Sequence, residues 1–514
     1  MRDWLGRPRF STREEAVLAS MRATGPAYYA LVGALVAVIG WGLIAYAVQL
    51  RHGLGVTGLR DNFMWGVYIT NFVFFIGVSH VGALMSAILR LTGAEWRRPI
   101  TRMAEAITFA SLLMGALMPF VDMGRPDRIL NLILHGRLQS PILWDMLSIT
   151  TYLTGSTLFL FVPMIPDIAL LRDHFKDGPA WRHRLYTVLA LGWRDTAGQR
   201  HRLETVMAVL AVLIIPIAIS VHTVVSWIMA MTLRAGWNST IFGPYFVSGA
   251  LFSGAAAVVT AMAAFRWAYH LEDYITERHF KRMGYLVITL GVIYAYFTFN
   301  EYWTPLYKLA EHERGYLAAV FSGPFAPLFW FTQIAGLLLP LLLLTLPTIS
   351  WVSRLQEIKL LRPRPALAAA GAAAGVLIFT SAAGAPTAGL GDGAIVRALP
   401  WVLTVVAAWL FASFLPVFRK HPIASAVVAS LLINVGAWVK RFVIIVPTLQ
   451  YPFLPIQRAP AGWAFYHPSW VEWSITAAAV AGFILIYILF SKLFPIVSIW
   501  ETRAEGEAVH AGTP

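Results

Sequence analysis

Residues 27–49 contain no Asp, Glu, Lys or Arg. About 20 apolar residues in a helix cross roughly 30 Å of hydrocarbon, and stretches of this kind recur along the chain. Candidate spanning helices run over 27–49, 62–90, 103–121, 141–165, 204–233, 243–270, 283–303, 322–349, 366–383, 395–415, 423–446 and 470–494. Backbone inside lipid has no water to satisfy its N–H and C=O groups, so such a chain is confined to helices or a closed barrel. Continuous runs this long fit helices, not barrel strands of about 9–11 residues. The expectation is an all-α polytopic membrane protein with ten to twelve transmembrane helices. The pair at 366–383 and 395–415 is the least regular, being Ala- and Gly-rich and broken by Gly384-Ala385-Pro386-Thr387-Ala388-Gly389.

Charge fixes orientation. With the N-terminus placed in the cytoplasm, inner segments hold about 27 Lys and Arg against about 10 outside, the usual positive-inside asymmetry. The longest inner loop, about 166–203, carries Arg172, Lys176, Arg182, Arg184, Arg194, Arg200 and Arg202. The net charge of +14 therefore reports topology and not nucleic-acid binding. The polar segment 1–26 lacks the short apolar core and cleavage site of a secretory signal. The chain then divides into a cytoplasmic segment 1–26, a first helix and outer loop 27–61, and a first four-helix bundle 62–233. A second bundle, 234–446, holds an extra helix pair at 366–415. An outer loop and last helix, 447–494, and a cytoplasmic tail, 495–514, complete it. The membrane expected is a bacterial inner membrane.

The chain has no cysteine. Cys-ligated iron–sulfur clusters, covalent c-type haem and disulfides are thereby excluded within it. No metal site is expected, and a redox role needs another subunit or a non-covalent cofactor.

Two carboxylates stand at the outer rim, where hydrocarbon meets headgroups. Asp122 closes one apolar run and Asp145 opens the next. An ionisable group at that depth needs a partner, water or a task. The loop joining them holds Arg125, Asp127, Arg128, His135, Arg137 and Gln139. A quinol delivers two protons and two electrons, so a quinol site needs proton acceptors, and carboxylates can serve. Arg125 and His135 are the loop groups able to polarise a quinone oxygen, with Ser140 and Trp144 beside them. The same residues equally fit a turn cap in which Asp122 pairs with Arg125.

Deeper in the bilayer, His80 in the second helix and Glu105 in the third fall at similar depth and form a candidate inward proton path. Glu105 also fits a structural pairing with Arg102 or Arg98. His222 sits in the outer half of the fifth helix, which makes it a poor haem partner for His80. Glu301 ends the seventh helix and is a second-bundle proton group. Arg441 and Glu472, at similar depth, are expected to form a structural ion pair. A faint repeat relates Phe72–Ala87 to Tyr245–Gly254, both rich in small residues that let helices approach. If the repeat is real, Glu301 occupies the position of Asp122.

Several short motifs in fixed order resemble the NrfD/PsrC family of quinone-interacting membrane subunits, over roughly 27–350 and 420–500. They include Gly53-Leu54-Gly55-Val56-Thr57-Gly58-Leu59, Ser79-His80-Val81-Gly82, Glu95-Trp96-Arg97-Arg98-Pro99-Ile100 and Ala104-Glu105-Ala106. Met123-Gly124-Arg125-Pro126, Ser140-Pro141 with Trp144-Asp145, and Ile165-Pro166-Asp167 follow. Later come Ser220–Trp227, Ser239–Phe246, Arg441–Val446 and Tyr466–Glu472. The nearest likeness is to the long branch with the ActC and ActF subunits of alternative complex III. The resemblance implies two four-helix bundles with flanking helices and no redox centre in the chain. It implies a menaquinone or ubiquinone site near the periplasmic face, beside a ferredoxin-like iron–sulfur subunit that exchanges its electrons. A molybdopterin-type or cytochrome subunit would lie beyond, and proton translocation is a possible accompaniment. In that branch the site pairs a His with an Asp. Asp145 matches the Asp, while Asp122 stands at the His position, as in the wider NrfD pattern. Two other readings compete: a secondary transporter, whose polar site would lie at the midplane, and a structural anchor without a quinone site.

Overall fold

The structure, a computed structural model, describes residues 12–22, 24–176, 178–232, 234–348, 421–451 and 465–502. Ten helices among the described residues are long and apolar enough to cross a membrane. There is no β-strand among them; the one bridge joins Arg60 and Phe63. The expected pair at 366–383 and 395–415 lies outside the described residues.

The helices are α1 (Thr12–Arg22), α2 (Pro26–His52), α3 (Val67–Leu91), α4 (Arg98–Asp122), α5 (Leu130–Leu134), α6 (Pro141–Phe161), α7 (Ile165–His174) and α8 (Ala180–Leu189). They continue with α9 (Ala197–Ala230), α10 (Phe242–Tyr269), α11 (Glu277–Lys308), α12 (Glu311–Phe321), α13 (Ala326–Gln333) and α14 (Leu339–Thr348). The last two are α15 (Pro422–Gln450) and α16 (Trp470–Leu493).

Their limits follow local chemistry. Proline opens α2, α4, α6 and α15, where its missing N–H costs nothing. Thr196 with Gln199, and Ser469 with Glu472, form reciprocal capping boxes at α9 and α16. Between α13 and α14 the ladder widens to a π turn at Ile334–Leu338, where the backbones of Gly336 and Gly436 meet without room for a side chain.

Helices α3, α4, α6 and α9 pack as one four-helix bundle, and α10, α11, α13–α14 and α15 as a second. Helices α2 and α16 pair at the flank. The two bundles meet chiefly through α3 and α10. These two are the most enclosed spans, with 83% and 72% of their apolar windows buried, against 11% for α2. Small residues permit that closeness: a Cβ at Gly82 would strike the Ala104 carbonyl of α4, and one at Gly254 would press on Val81 at 2.6 Å.

The face bearing the termini is closed by an ionic clasp. Asp167 is fully buried and pairs with Arg102 at 2.5 Å. It also accepts from the Ile499 and Trp500 amides at 3.2 and 2.8 Å. Glu501 accepts from Arg90 at 2.5 Å and Arg97 at 3.1 Å. Breaking such a buried pair by removing one partner costs about 3–5 kcal/mol, because a lone charge is left behind. Arg102 is thus committed to Asp167, and Glu105 instead accepts from Ser86 at 2.5 Å.

Burial alone would raise the Glu501 carboxyl, but Arg90, Arg97 and Arg102 overcome it and hold the group below the ordinary glutamate range. A depressed folded pKa means stabilisation that is complete above the unfolded value, about 4.3, and is lost as pH falls through the lower folded value. The melting temperature of the wild type in detergent should therefore exceed that of Glu501→Gln at pH 7. The gap should close progressively as pH is lowered below about 4.3. A gap independent of pH would contradict this account.

Candidate functional site

The face opposite the termini carries the two rim carboxylates. Asp122 is the last residue of α4, and the chain leaves it through Gly124, whose φ of +68° suits glycine. Asp145 lies one turn inside α6, 9% exposed. Each has its Oδ1 buried with no hydrogen-bond partner. No hydrogen bond or ion pair joins the two among the described residues. Charged oxygens in this condition are expensive to keep.

The loop between them is spread over the surface. Arg125 pairs with Asp127 at 2.9 Å, both about three-fifths exposed. Hydrogen bonding to that guanidinium holds the Asp127 carboxyl below its usual range. Arg125 therefore does not pair with Asp122. His135 is exposed, and Ser140 is half-buried at the start of α6 without capping it. The Trp144 indole N–H donates to the Leu138 carbonyl. Leu130, Ile133, Leu134 and Leu138 expose 61–75% of their surface beside these groups.

Behind Asp122 stands a polar cluster with little trace in the sequence. The Tyr68 hydroxyl, fully buried, donates to Gln49 Oε1 at 2.6 Å, and Gln49 Nε2 donates to the Val121 carbonyl at 2.7 Å. A lone Gln near a helix end carries no pattern, and only the fold brings it to α4.

Glu472 departs from expectation. It makes no ion pair with Arg441. Its carboxylate accepts from the Gly58 and Ser469 amides at 2.7 and 2.8 Å and from the Tyr466 hydroxyl. These local donors out-compete a distant guanidinium, and the spacing Ser469-x-x-Glu472 is the sequence signal that could have shown it. Arg441 instead donates to the Ala437 carbonyl at 3.1 Å and Ser253 Oγ at 3.4 Å.

His222 also lies elsewhere than its sequence position suggests. Its ring centroid is 4.7 Å from that of His80, so the two share one depth. Helix α9 has 34 residues and overruns the hydrocarbon, which defeats a depth counted from its end. The rings touch directly and leave no room for a macrocycle between them. His80 Nδ1 contacts the Ile76 carbonyl at 2.5 Å, while its Nε2 and both His222 nitrogens have no partner. Tyr152 packs on His80 at 5.0 Å and donates to the Ser79 carbonyl at 2.9 Å. Ser111 and Ser156 add buried hydroxyls without partners.

The first bundle thus holds polar groups at three levels. Asp145 and Tyr152 are seven residues apart on α6, about 10 Å, and His80 and Ser86 six apart on α3, about 9 Å. Asp122 and Asp145 mark one level, the His80–His222–Tyr152 cluster the next, and Ser86–Glu105 the third. Glu301 lies in the second bundle, 6% exposed, with Oε2 unpartnered.

The sequence profile of the family described as "Polysulphide reductase, NrfD" matches residues 55–361, more than half of the chain. The chain belongs to the NrfD family. It is 31% identical over 245 residues to a putative dimethyl sulfoxide reductase membrane subunit of Halobacterium salinarum, covering 48% of this chain and 52% of that protein. It is 24% identical over 326 residues to a selenate reductase subunit of Mesobacillus selenatarsenatis, 62% of this chain and 74% of that protein. A third relative is the menaquinone reductase integral membrane subunit of Nitratidesulfovibrio vulgaris, 32% identical over 139 residues, 27% of this chain and 32% of that protein. The chain therefore spans about half the length of the first of these relatives and about three quarters of the second.

A buried carboxylate held without a partner is a stability cost. Asp145→Leu should raise the melting temperature of the purified protein, by the equivalent of about 1–2 kcal/mol. A lower melting temperature would mean that the carboxylate has a structural partner.

Proposed function

We propose that this chain is the membrane subunit of a respiratory oxidoreductase complex that oxidises quinol, or reduces quinone, at the face opposite its termini. One observation carries the reading: Asp122 and Asp145 each hold a buried oxygen without a partner at that rim. The names of the relatives agree with it, two being subunits of dimethyl sulfoxide and selenate reductases and one a menaquinone reductase subunit.

A quinone head group suits these residues. Two unpartnered carboxylate oxygens match two hydroxyl donors, and the exposed aliphatic side chains of Leu130, Ile133, Leu134 and Leu138 suit its apolar tail. When bound, the quinone supplies the two-electron, two-proton chemistry. Asp122 and Asp145 accept the protons, or return them in the reverse direction. Ser140 and Trp144 border the head group, and Arg125 and His135 lie in the loop where a small rotation brings a cation or donor to a quinone oxygen. The partner that would take the electrons is a docked ferredoxin-like subunit with an iron–sulfur cluster, and a molybdopterin-type or cytochrome subunit would lie beyond it. The excess of basic residues on the face bearing the termini supports a cytoplasmic position for that face, in a bacterial inner membrane, and a periplasmic quinone site.

His80, His222 and Glu105 form a proton path from the bilayer centre toward the cytoplasmic face, with Glu301 as the second bundle's proton group. Two imidazoles in contact disfavour taking up two added protons, so the pair passes protons singly.

In the assembled complex, Asp122→Asn and Asp145→Asn should each lower quinol turnover at least tenfold, about 1.4 kcal/mol in the barrier, without loss of the partner subunits. Turnover that survives both substitutions would leave a structural anchor as the better reading. His80→Leu combined with Glu105→Leu should keep turnover within about twofold and abolish proton release across the membrane of reconstituted liposomes. Unchanged release would remove these two residues from any proton path.

A further inference from the structure

The second bundle holds a buried cation to which the reading above gives no task. Lys440, on α15, is 2% exposed. Its ammonium donates to the Tyr302 hydroxyl at 2.7 Å and lies 4.4, 5.1 and 5.9 Å from the ring centroids of Tyr302, Phe329 and Tyr245. Aromatic faces attract a cation, but its hydrogen-bond partner is a phenol and not a carboxylate. Glu301, the residue before Tyr302, is the acid within electrostatic reach, and one of its oxygens is buried with no partner.

Polar groups continue to either side. Toward the face opposite the termini, Tyr316 of α12 lies beside Tyr302. Glu313, three residues earlier, has its own buried oxygen without a partner. On the other side, Lys440 and its neighbour Arg441 border a small cavity with Tyr294, Thr332 and Gln333. That cavity lies at the π turn, and such interruptions are frequent at functional sites. A guanidine remains charged in a protein, whereas a buried lysine can give up its proton. Of the two neighbouring cations, only Lys440 can therefore cycle.

We propose that Lys440 is a proton-exchange site of the second bundle, loaded from Glu301 and connected through Tyr302, Tyr316 and Glu313 to the opposite face. A proton on the Glu301 carboxyl passes to the neutral Lys440 amine, leaving a carboxylate and an ammonium; the reverse transfer releases it. No electron moves. The groups facing Lys440 are Tyr302 and Glu301 from α11, Tyr245 from α10 and Arg441 on its own helix. Arg441 also faces His222 and lies against Gly77 of α3, 3.3 Å from where a Cβ would stand. One fixed charge thus lies within electrostatic reach of both Lys440 and His222. This inference rests on the proton-path part of the proposed function and not on the quinone site.

Lys440→Met, Lys440→Arg and Tyr302→Phe, made in the full complex and reconstituted in liposomes, separate the possibilities. Quinol turnover should stay within twofold in all three. Protons released per electron should fall at least 1.5-fold in Lys440→Met and equally in Lys440→Arg, which keeps the charge but cannot cycle, with Tyr302→Phe intermediate. Rescue by Lys440→Arg would show a structural charge and overturn the proposal, as would wild-type yields in Lys440→Met. A measurement without quinol keeps the two readings apart. Infrared difference spectra of the purified chain across a pH series should show a protonated-carboxyl band that Glu301→Gln removes and whose pH profile changes in Lys440→Met. A profile identical to wild type in Lys440→Met would also overturn it.

Discussion

An ionised group inside a helix bundle that stands in hydrocarbon has no bulk water to fall back on, and the fold must supply its partners. This constraint sorts the polar residues of the chain into two classes. Arg102, Asp167 and Glu501 are saturated with donors and acceptors from separated segments, and they lock α4, α7 and the segment after α16 together. Glu472 is saturated likewise, and it ties the loop after α2 to the start of α16. Asp145, His80, His222 and Glu301 are buried to a similar degree and, like the half-buried Asp122, are left with open valences.

The spans were legible because the bilayer allows so few solutions. Continuous apolar stretches of the required length leave helices as the plain choice, and each expected span that falls on described residues coincides with a helix, although the start of α9 at Ala197 lies seven residues before the expected 204. Depth was less legible. A depth counted from the end of its apolar run sets His222 in the outer half, but α9 extends well past the hydrocarbon, and the ring lies beside His80. Pairing was the least legible. Arg441 and Glu472 share a depth and have opposite charges, yet Glu472 caps its own helix with Ser469, and local donors win because they cost no long side-chain reach. Gln49 and Tyr68 show no periodicity or spacing that would have marked them, since their relation to Asp122 exists only after α2, α3 and α4 have packed.

The faint sequence likeness between Phe72–Ala87 and Tyr245–Gly254 has a physical counterpart. The two segments are the packed cores of α3 and α10, and they lie against each other: Gly77 faces Ala250, and Gly254 faces Val81. Two helices that must approach closely at the centre of a membrane protein are both driven to Gly, Ala and Ser. Shared packing thus accounts for the composition of both stripes whether or not a duplication lies behind them.

The same closeness determines what can cross between the bundles. Small residues at positions 77, 250 and 253 leave a gap through which the Arg441 side chain extends from α15, past Ser253 of α10, to the surface of α3. His80 stands three residues, nearly one turn, beyond Gly77 on that helix. A larger residue at 77 would close the gap and confine the guanidinium to the second bundle. The packing motif and the electrostatic link are therefore one feature: the small residues that let the bundles approach also admit a long, permanently charged side chain from the second bundle to the surface of the first.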